Sequence, residues 1–313
     1  MSTPTPLRAL VGGLGIPVAA HELLLLNGNV FGISGFIHRA VKGSIEGLAG
    51  VAGLVLGGVL VGALEKNGPE NLSLSLPQVL LSGFLVGLGT KLANGCTSGH
   101  MICGISRLSV RSIVATATFF TAGVVTVQFL HNDLPAVGQV DWSLGAESFK
   151  LLALQAIPMS ISTLLYFWNP KVQQKDDSNP PHNVSRIAAY LATAFQFALA
   201  LRLSNLSEAS RVLSFLVLPF HRGFDPSLAL VAGGALSVGI VLYHFARGDE
   251  RSRLGGKWAI PKGGKVDSRL LIGSTIFAGP GLVSFGRSLS SGGYALIPYA
   301  AWLGSMAVGG LLV

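Results

Sequence analysis

Nine apolar segments run through this chain, near 9–26, 44–64, 76–93, 110–130, 149–168, 185–203, 225–246, 268–285 and 294–313. Each approaches the roughly 20 residues that a helix needs to cross a hydrocarbon core. Inside lipid a backbone must satisfy its own N–H and C=O groups, so such segments fold as helices. The expected fold is an all-α integral membrane protein with about nine transmembrane helices. Four short apolar pieces, near 30–37, 97–106, 209–220 and 286–293, lie between some of the spans. They are too short to cross and are rich in Gly or Ser, or flanked by them. They read as re-entrant, half-length helices.

Only 12% of the residues are charged, about half the share of roughly 25% in soluble domains. Glycine supplies 41 of 313 residues. On membrane helices glycine lets backbones approach closely, and the pairs Gly53/Gly57, Gly58/Gly62 and Gly83/Gly87 fit that use. The net charge of +8 would suggest nucleic acid in a soluble protein. Here the basic residues belong in cytoplasmic loops, no aromatic-rich basic cluster offers base stacking, and the expected surroundings are lipid. The first segment contains His21 and Glu22 and lacks a clear cleavage site, so it reads as a retained span. Cys96 and Cys103 give no disulfide framework.

The order of elements repeats. Segments 9–26, 44–64, 76–93 and 110–130, with short pieces after the first and third, form one set. Segments 185–203, 225–246, 268–285 and 294–313, with short pieces in the same places, form another. GLAGVAGLVLGGVLVGALE in the first half resembles SLALVAGGALSVGIVLYHF in the second. The span 149–168 remains as a connector. Five spans therefore precede the second set, and an odd number inverts it. The expected organisation is a first membrane repeat over 1–148, a connecting span and exposed linker over 149–184, and a second, inverted repeat over 185–313. Inverted repeats are a common transporter design, with the site near the midplane at the repeat interface.

Charge orients the bundle. The loop 247–269 carries seven basic residues, whereas 131–148 carries Asp133, Asp141 and Glu147 and no Lys or Arg. With the basic loop in the cytoplasm, the N-terminus lies outside and the C-terminus inside. Lys and Arg then divide 15 inside to 7 outside. An inner or plasma membrane is the expected location.

The chemistry concentrates in GTKLANGCTSGHMICGISRLSVR, from Gly89 to Arg111. It holds both cysteines, with His100 between them and Lys91, Arg107 and Arg111 around them. Gly95, Thr97, Ser98 and Gly99 surround Cys96. Small residues there leave room for an anion, and backbone N–H groups at a helix start with nearby hydroxyls favour negative charge. A thiol is a weak donor that can contact a soft sulfur-bearing anion, or attack one as thiolate. Each residue also has an ordinary structural use. A buried cysteine is often a small apolar side chain, more so for Cys103 than for Cys96. His100 fits a hydrogen-bonded core position as well as an anion path. Lys91, Arg107 and Arg111 fit the membrane interface with snorkelling charges. Cys96, His100 and Cys103 also spell C-x3-H-x2-C, but no second Cys/His cluster completes a zinc site, and neither metal nor cofactor is expected. His21 and Glu22 fit a proton or substrate group, or a mutually paired structural role. Arg287, in FGRSLSSGG, is a charge between two spans with few acidic neighbours.

NGCTSGHMICGISRLSVRS, and less closely NGNVFGISGF near the end of the first span, resemble the YeeE/YedE-type sulfur-transport membrane proteins. The likeness covers nearly the whole chain. It implies nine spans with short helices entering from both faces, and inward movement of thiosulfate or a related sulfur anion. The anion would pass a cysteine-lined constriction by transient S–H contacts. Cys96 matches the family's first-half cysteine. The second half departs from the pattern, because GPGLVSFGRSLSSGG has no cysteine where relatives often carry one, near Phe285 to Arg287. The expected path is thus Cys96 with Gly95, Thr97, Ser98, His100, Cys103, Lys91, Arg107 and Arg287. An alternative is a membrane sulfurtransferase passing a persulfide from Cys96 to a soluble sulfur-accepting protein. A third reading is a divergent membrane protein without transport activity.

Overall fold

The computed structural model describes residues 3–66, 75–130, 134–169, 183–261, 264–279 and 296–312. Every regular element among them is helical. The order is α1 Pro6–Asn27, α2 Ile33–Val41, α3 Ile45–Glu65, α4 Leu76–Leu92, a π-helix Ser98–Ile105 and α5 Val110–Leu130. Then come α6 Gly145–Trp168, α7 Asn183–Leu203, α8 Ala209–Leu216, α9 Ser227–Phe245, α10 Ser268–Ile276 and α11 Leu296–Leu311.

Six of these helices, α1, α3, α5, α6, α7 and α9, are long and apolar enough to cross a membrane. They coincide with six of the expected spans. The expected spans 76–93 and 294–313 form shorter helices, of 17 and 16 residues. The expected span 268–285 begins as α10, and its residues beyond Gly279 lie outside the described part, as do the short piece 286–293 and linker residues 170–182. The pieces 30–37, 97–106 and 209–220 appear as α2, the π-helix and α8.

Local chemistry sets the helix ends. The Ser44 hydroxyl accepts the Gly47 N–H at the start of α3. Ser75 and Gln78 form a capping box at the start of α4, and Asp267 accepts the Leu270 N–H at the start of α10. Gly28 ends α1 in a left-handed conformation, φ 72°, returning its N–H to Leu24. Such caps satisfy groups that no helix can satisfy internally.

Polar contacts at the helix ends fix two opposite faces. At one, Arg8 near the start of α1 and Arg202 near the end of α7 both meet Glu65 at the end of α3. The chain of charges continues through Glu208 and Arg211 to Asp225. At the other, Asn27 at the end of α1 donates to the Arg186 carbonyl near the start of α7, and Arg186 pairs with Glu46 at the start of α3 at 2.6 Å. Hence α1 runs opposite to both α3 and α7. The described part of the loop before α6 belongs to the first face, since the Asp141 N–H donates to Pro4 O. The basic loop belongs to the second, since the N–H groups of Arg253, Leu254 and Ala259 donate to the carbonyls of Leu25, Leu26 and Gly28. With 22 residues in α1, at 1.5 Å each, the two loops stand about 33 Å apart along it.

α1 and α7 are the most enclosed helices and pack on each other. α3 packs on α7 and α9 on α1; α4 packs on α11, α5 on α10, and α4 also on α10. Glycine sets two of these approaches. A Cβ on Gly57 would lie 2.6 Å from the Ala198 Cβ, and Gly53 meets the Leu191 carbonyl, which brings α3 against α7. Gly83 and Gly87 meet the Trp302 and Met306 carbonyls of α11. Gly58 has no described atom within 4 Å, so among the described residues it makes no close helix approach. The outer helices present Val55, Val59, Phe129, Ile157, Phe167 and Phe245 outward, an apolar exterior that suits lipid.

Candidate functional site

The π-helix is entered and left through left-handed residues, Asn94 with φ 55° and Leu108 with φ 55°. It packs on α5 and touches α1 and α9. Its start meets the start of α2. The Ile33 N–H donates to Ser98 Oγ at 3.3 Å, and the same oxygen stands 3.1 Å from Cys96 Sγ. One buried hydroxyl therefore joins the thiol to the first N–H of a helix, and the positive end of that helix dipole lies beside the thiol. Cys96 itself is partly exposed. Around this point Gly32, Gly35 and Gly99 have no described atom within 4 Å of where a Cβ would sit.

Gly95 is small for a different reason. A Cβ there would lie 2.8 Å from His100 Nε2. His100 is buried with both ring nitrogens engaged, Nε2 with Ala93 O at 3.1 Å and Nδ1 with Ser112 Oγ at 3.2 Å. A carbonyl oxygen only accepts, so Nε2 carries the proton and Nδ1 accepts from Ser112. Neither nitrogen has a lone pair left for a metal. Ser112 also presses on Gly104, so the ring clamps the π-helix to α5. The Ala93 carbonyl accepts a second bond from Arg111 Nη2 at 3.0 Å.

The structure brings Cys96, Ser98 and Gly95 together, with Thr97 at the helix start. The other expected path residues have contacts of their own. Lys91 lies in the last turn of α4, within electrostatic reach of His38 of α2. Arg107 turns back so that its Nε donates to Cys103 O at 2.9 Å. Cys103 is fully buried among Phe31, Tyr190 and Tyr243, its sulfur 3.5 Å from the Phe31 carbonyl. Arg287 lies outside the described residues. The His21 and Glu22 pairing does not form, because His21 Nε2 donates to Ala246 O at 2.9 Å while Glu22 faces Ser162 and Gln196. Ile33, Ser112 and Ala93 were not singled out from the sequence. Their parts depend on contacts across 65, 12 and 7 positions, and only the NGNVFGISGF match hinted at the first.

Six helices long and apolar enough to cross a membrane, with two short helices meeting beside a thiol among them, fit a multi-pass membrane protein. The chain belongs to the sulphur-transport family, whose model matches residues 7–126. A second model, for a family of unknown function, matches 185–312. A "Probable transporter" of Xylella fastidiosa (strain Temecula1) is 42% identical over 124 residues, covering 39% of this chain and 92% of that protein. A protein of the same name from another strain of the species is 41% identical over 124 residues, with the same coverage. A further "Probable transporter" of that strain is 33% identical over 132 residues, covering 41% of this chain and 89% of itself. These relatives are less than half as long as this chain. No solved structure matches.

Proposed function

We propose that this protein is a membrane transporter that takes up a small sulfur-containing anion, thiosulfate being the best candidate, past the Cys96 thiol. The observation that carries the reading is the junction of Cys96, Ser98 and the start of α2. It offers neutral donors and a helix dipole rather than a cage of charges. A transported ion must bind well enough to enter and weakly enough to leave, and such donors meet both needs.

The reading uses two inverted halves. Pair α1 with α7, α3 with α9, α4 with α10 and α5 with α11. Exchanging the members of each pair turns the contact of α1 with α9 into that of α7 with α3. It likewise turns the contact of α4 with α11 into that of α10 with α5. The opposed directions of α1 and α7 agree, as do the two family matches and the half-length relatives. Nine spans result when α4, α10 and α11 are counted with the six long helices. The basic-loop face is the cytoplasmic one, by the excess of Lys and Arg there.

The sulfurtransferase reading needs a cation to favour the Cys96 thiolate. Arg107, one candidate for that task, has its Nε committed to the Cys103 carbonyl, which favours transport. Uptake of labelled thiosulfate, sulfate, sulfite and small carboxylates by transporter-deficient cells expressing this chain tests it. Thiosulfate should enter above background. Background uptake with the folded protein in the membrane would remove thiosulfate as the substrate, and a stable persulfide on Cys96 without flux would favour the enzyme.

A further inference from the structure

Part of the basic loop is built into the bundle. Residues 252–260 run back along the end of α1, where the N–H groups of Arg253, Leu254 and Ala259 donate to the carbonyls of Leu25, Leu26 and Gly28 at 2.8, 2.9 and 2.7 Å. Leu25 and Leu26 lie in the last turn of α1, whose carbonyls have no partner inside the helix. Leu254 is fully buried and packs with Leu26 and with Ala189 of α7. Ser252 is 6% exposed, and its hydroxyl donates to Gly256 O at 2.9 Å. Gly255 and Gly256 turn the chain with φ 81° and 93°, and the Gly255 carbonyl accepts from the Arg186 guanidinium. Arg186 is buried and is held by Glu46 of α3 at 2.6 Å.

The stretch lies across the two short helices that meet at Cys96. α1 reaches the basic-loop face at Asn27, and α3 leaves it again at Glu46, so residues 28–44 enter from that face and return to it with α2. Phe31 marks how deep they go. It stacks on Phe197 with ring centroids 4.2 Å apart. Phe197 stands 11 residues beyond Arg186 on α7, or roughly 16 Å at 1.5 Å per residue. The π-helix enters from the same face. Gly264 of the basic loop packs against the Arg111 side chain at the start of α5, and Arg111 also binds the Ala93 carbonyl before the π-helix. Between these anchors, Trp258 and Ile260 pack on the core cluster that contains Phe31, Ile102 and Cys103. The loop is thus tied to the hairpin of α2 at Gly28, to that of the π-helix at Arg111, and to the core where the two come together.

We propose that residues 252–260 are a strap that closes the basic-loop end of the anion path, with Arg186 as its latch, and that uptake requires the strap to lift. What passes beneath it rests on the transport reading above. The strap has no helix or strand of its own among its described residues. Lifting it breaks a few hydrogen bonds at the end of α1 and the bond to Arg186, and leaves the helices packed. Local openings of this kind cost far less than unfolding. The Arg186 pair with Glu46 joins α7 to α3 whether the strap is down or up, so the guanidinium stays in place to receive the Gly255 carbonyl again.

The test locks the strap and then watches it open, using the full-length protein in proteoliposomes. Leu26 and Leu254 share a buried cluster and a backbone hydrogen bond of 2.9 Å, which suits a disulfide between Leu26→Cys and Leu254→Cys. Oxidation of the pair, confirmed by peptide mass spectrometry, should bring thiosulfate uptake to background, and reductant should restore it. Wild type given the same oxidant and each single variant are the controls. An oxidised pair that transports as fast as the reduced pair would overturn the gate. Opening is read separately from maleimide labelling of Ser252→Cys, which is buried, against Arg251→Cys, which is exposed. Ser252→Cys should react several-fold more slowly, and adding Glu46→Gln, which frees Arg186, should speed it. Equal rates at the two positions would overturn the closed strap, and no response to Glu46→Gln would overturn the latch. This labelling needs neither substrate nor the cysteine pair, so it decides the strap even where the pair fails to fold. A wild type that takes up no thiosulfate while Ser252→Cys is protected would sink the transport reading and retain the strap.

Discussion

The sulfur of Cys96 and the hydroxyl oxygen of Ser98 stand 3.1 Å apart, and the same hydroxyl accepts the first N–H of α2. The thiol is therefore held against the start of a helix that begins 63 residues earlier in the chain. Cys96→Ala should abolish uptake, because the thiol at the junction is gone. Ser98→Ala should lower it several-fold, since the Ile33 N–H loses its acceptor and the thiol its positioner. Cys103→Ala should be mild, because that sulfur is packed in the core. Labelled thiosulfate uptake at matched membrane abundance checks the series. Full uptake by Cys96→Ala would remove the thiol from the mechanism.

Two neighbouring glycines should respond differently. Gly95→Ala puts a methyl 2.8 Å from His100 Nε2 and pushes the ring off Ala93. Overpacking of that kind costs about 1–3 kcal/mol, so this variant should melt earlier and accumulate less. Gly99 has no described atom within 4 Å. Gly99→Ala should keep wild-type stability, and Gly99→Val should keep stability while cutting uptake, if the space belongs to the anion. Thermal melts and uptake on the same preparations separate the two effects.

The charge chain at the α1 N-terminal face should make stability depend on acid. Burial pushes the Glu208 carboxyl up, but hydrogen bonds from Arg211 and Arg202 outweigh it and hold the group below the ordinary glutamate value of 4.5. A lowered folded-state value means stabilisation that is present above about pH 4.5 and is lost as pH falls below it. Glu208→Gln should flatten that part of the melting profile. An acid limb equally steep in the variant would place the sensitivity elsewhere.

Labelling should find the two long loops on opposite sides. Trp142→Cys and Arg251→Cys, each at an exposed position, are to be compared in intact cells and opened vesicles in a background lacking Cys96 and Cys103. Trp142→Cys should react from outside and Arg251→Cys only once the vesicle is opened. Reaction of both from the same side would contradict the placement of the two loops at opposite ends of α1.

Much of this protein could be read in its sequence. Apolar length alone located α1, α3, α5, α6, α7 and α9, because a helix in lipid has no alternative partner for its backbone. The glycine-rich thiol segment marked the candidate site because so many small and polar residues sit between two apolar segments. The capping residues Ser44, Ser75 and Asp267 act over three or four positions and leave a local trace. What only the tertiary structure decided is which polar groups meet. His100 became a clamp because Ala93 and Ser112 supplied both its partners, and Arg107 turned its Nε back to the Cys103 carbonyl. Ser98 found the start of α2, and Tyr243 came to lie beside His21 and Cys103. Hydrogen bonds are short and directional, so their partners are chosen by how helices distant in sequence pack. Hydrophobicity is additive along the chain, and so the sequence announces the spans but not the contacts between them.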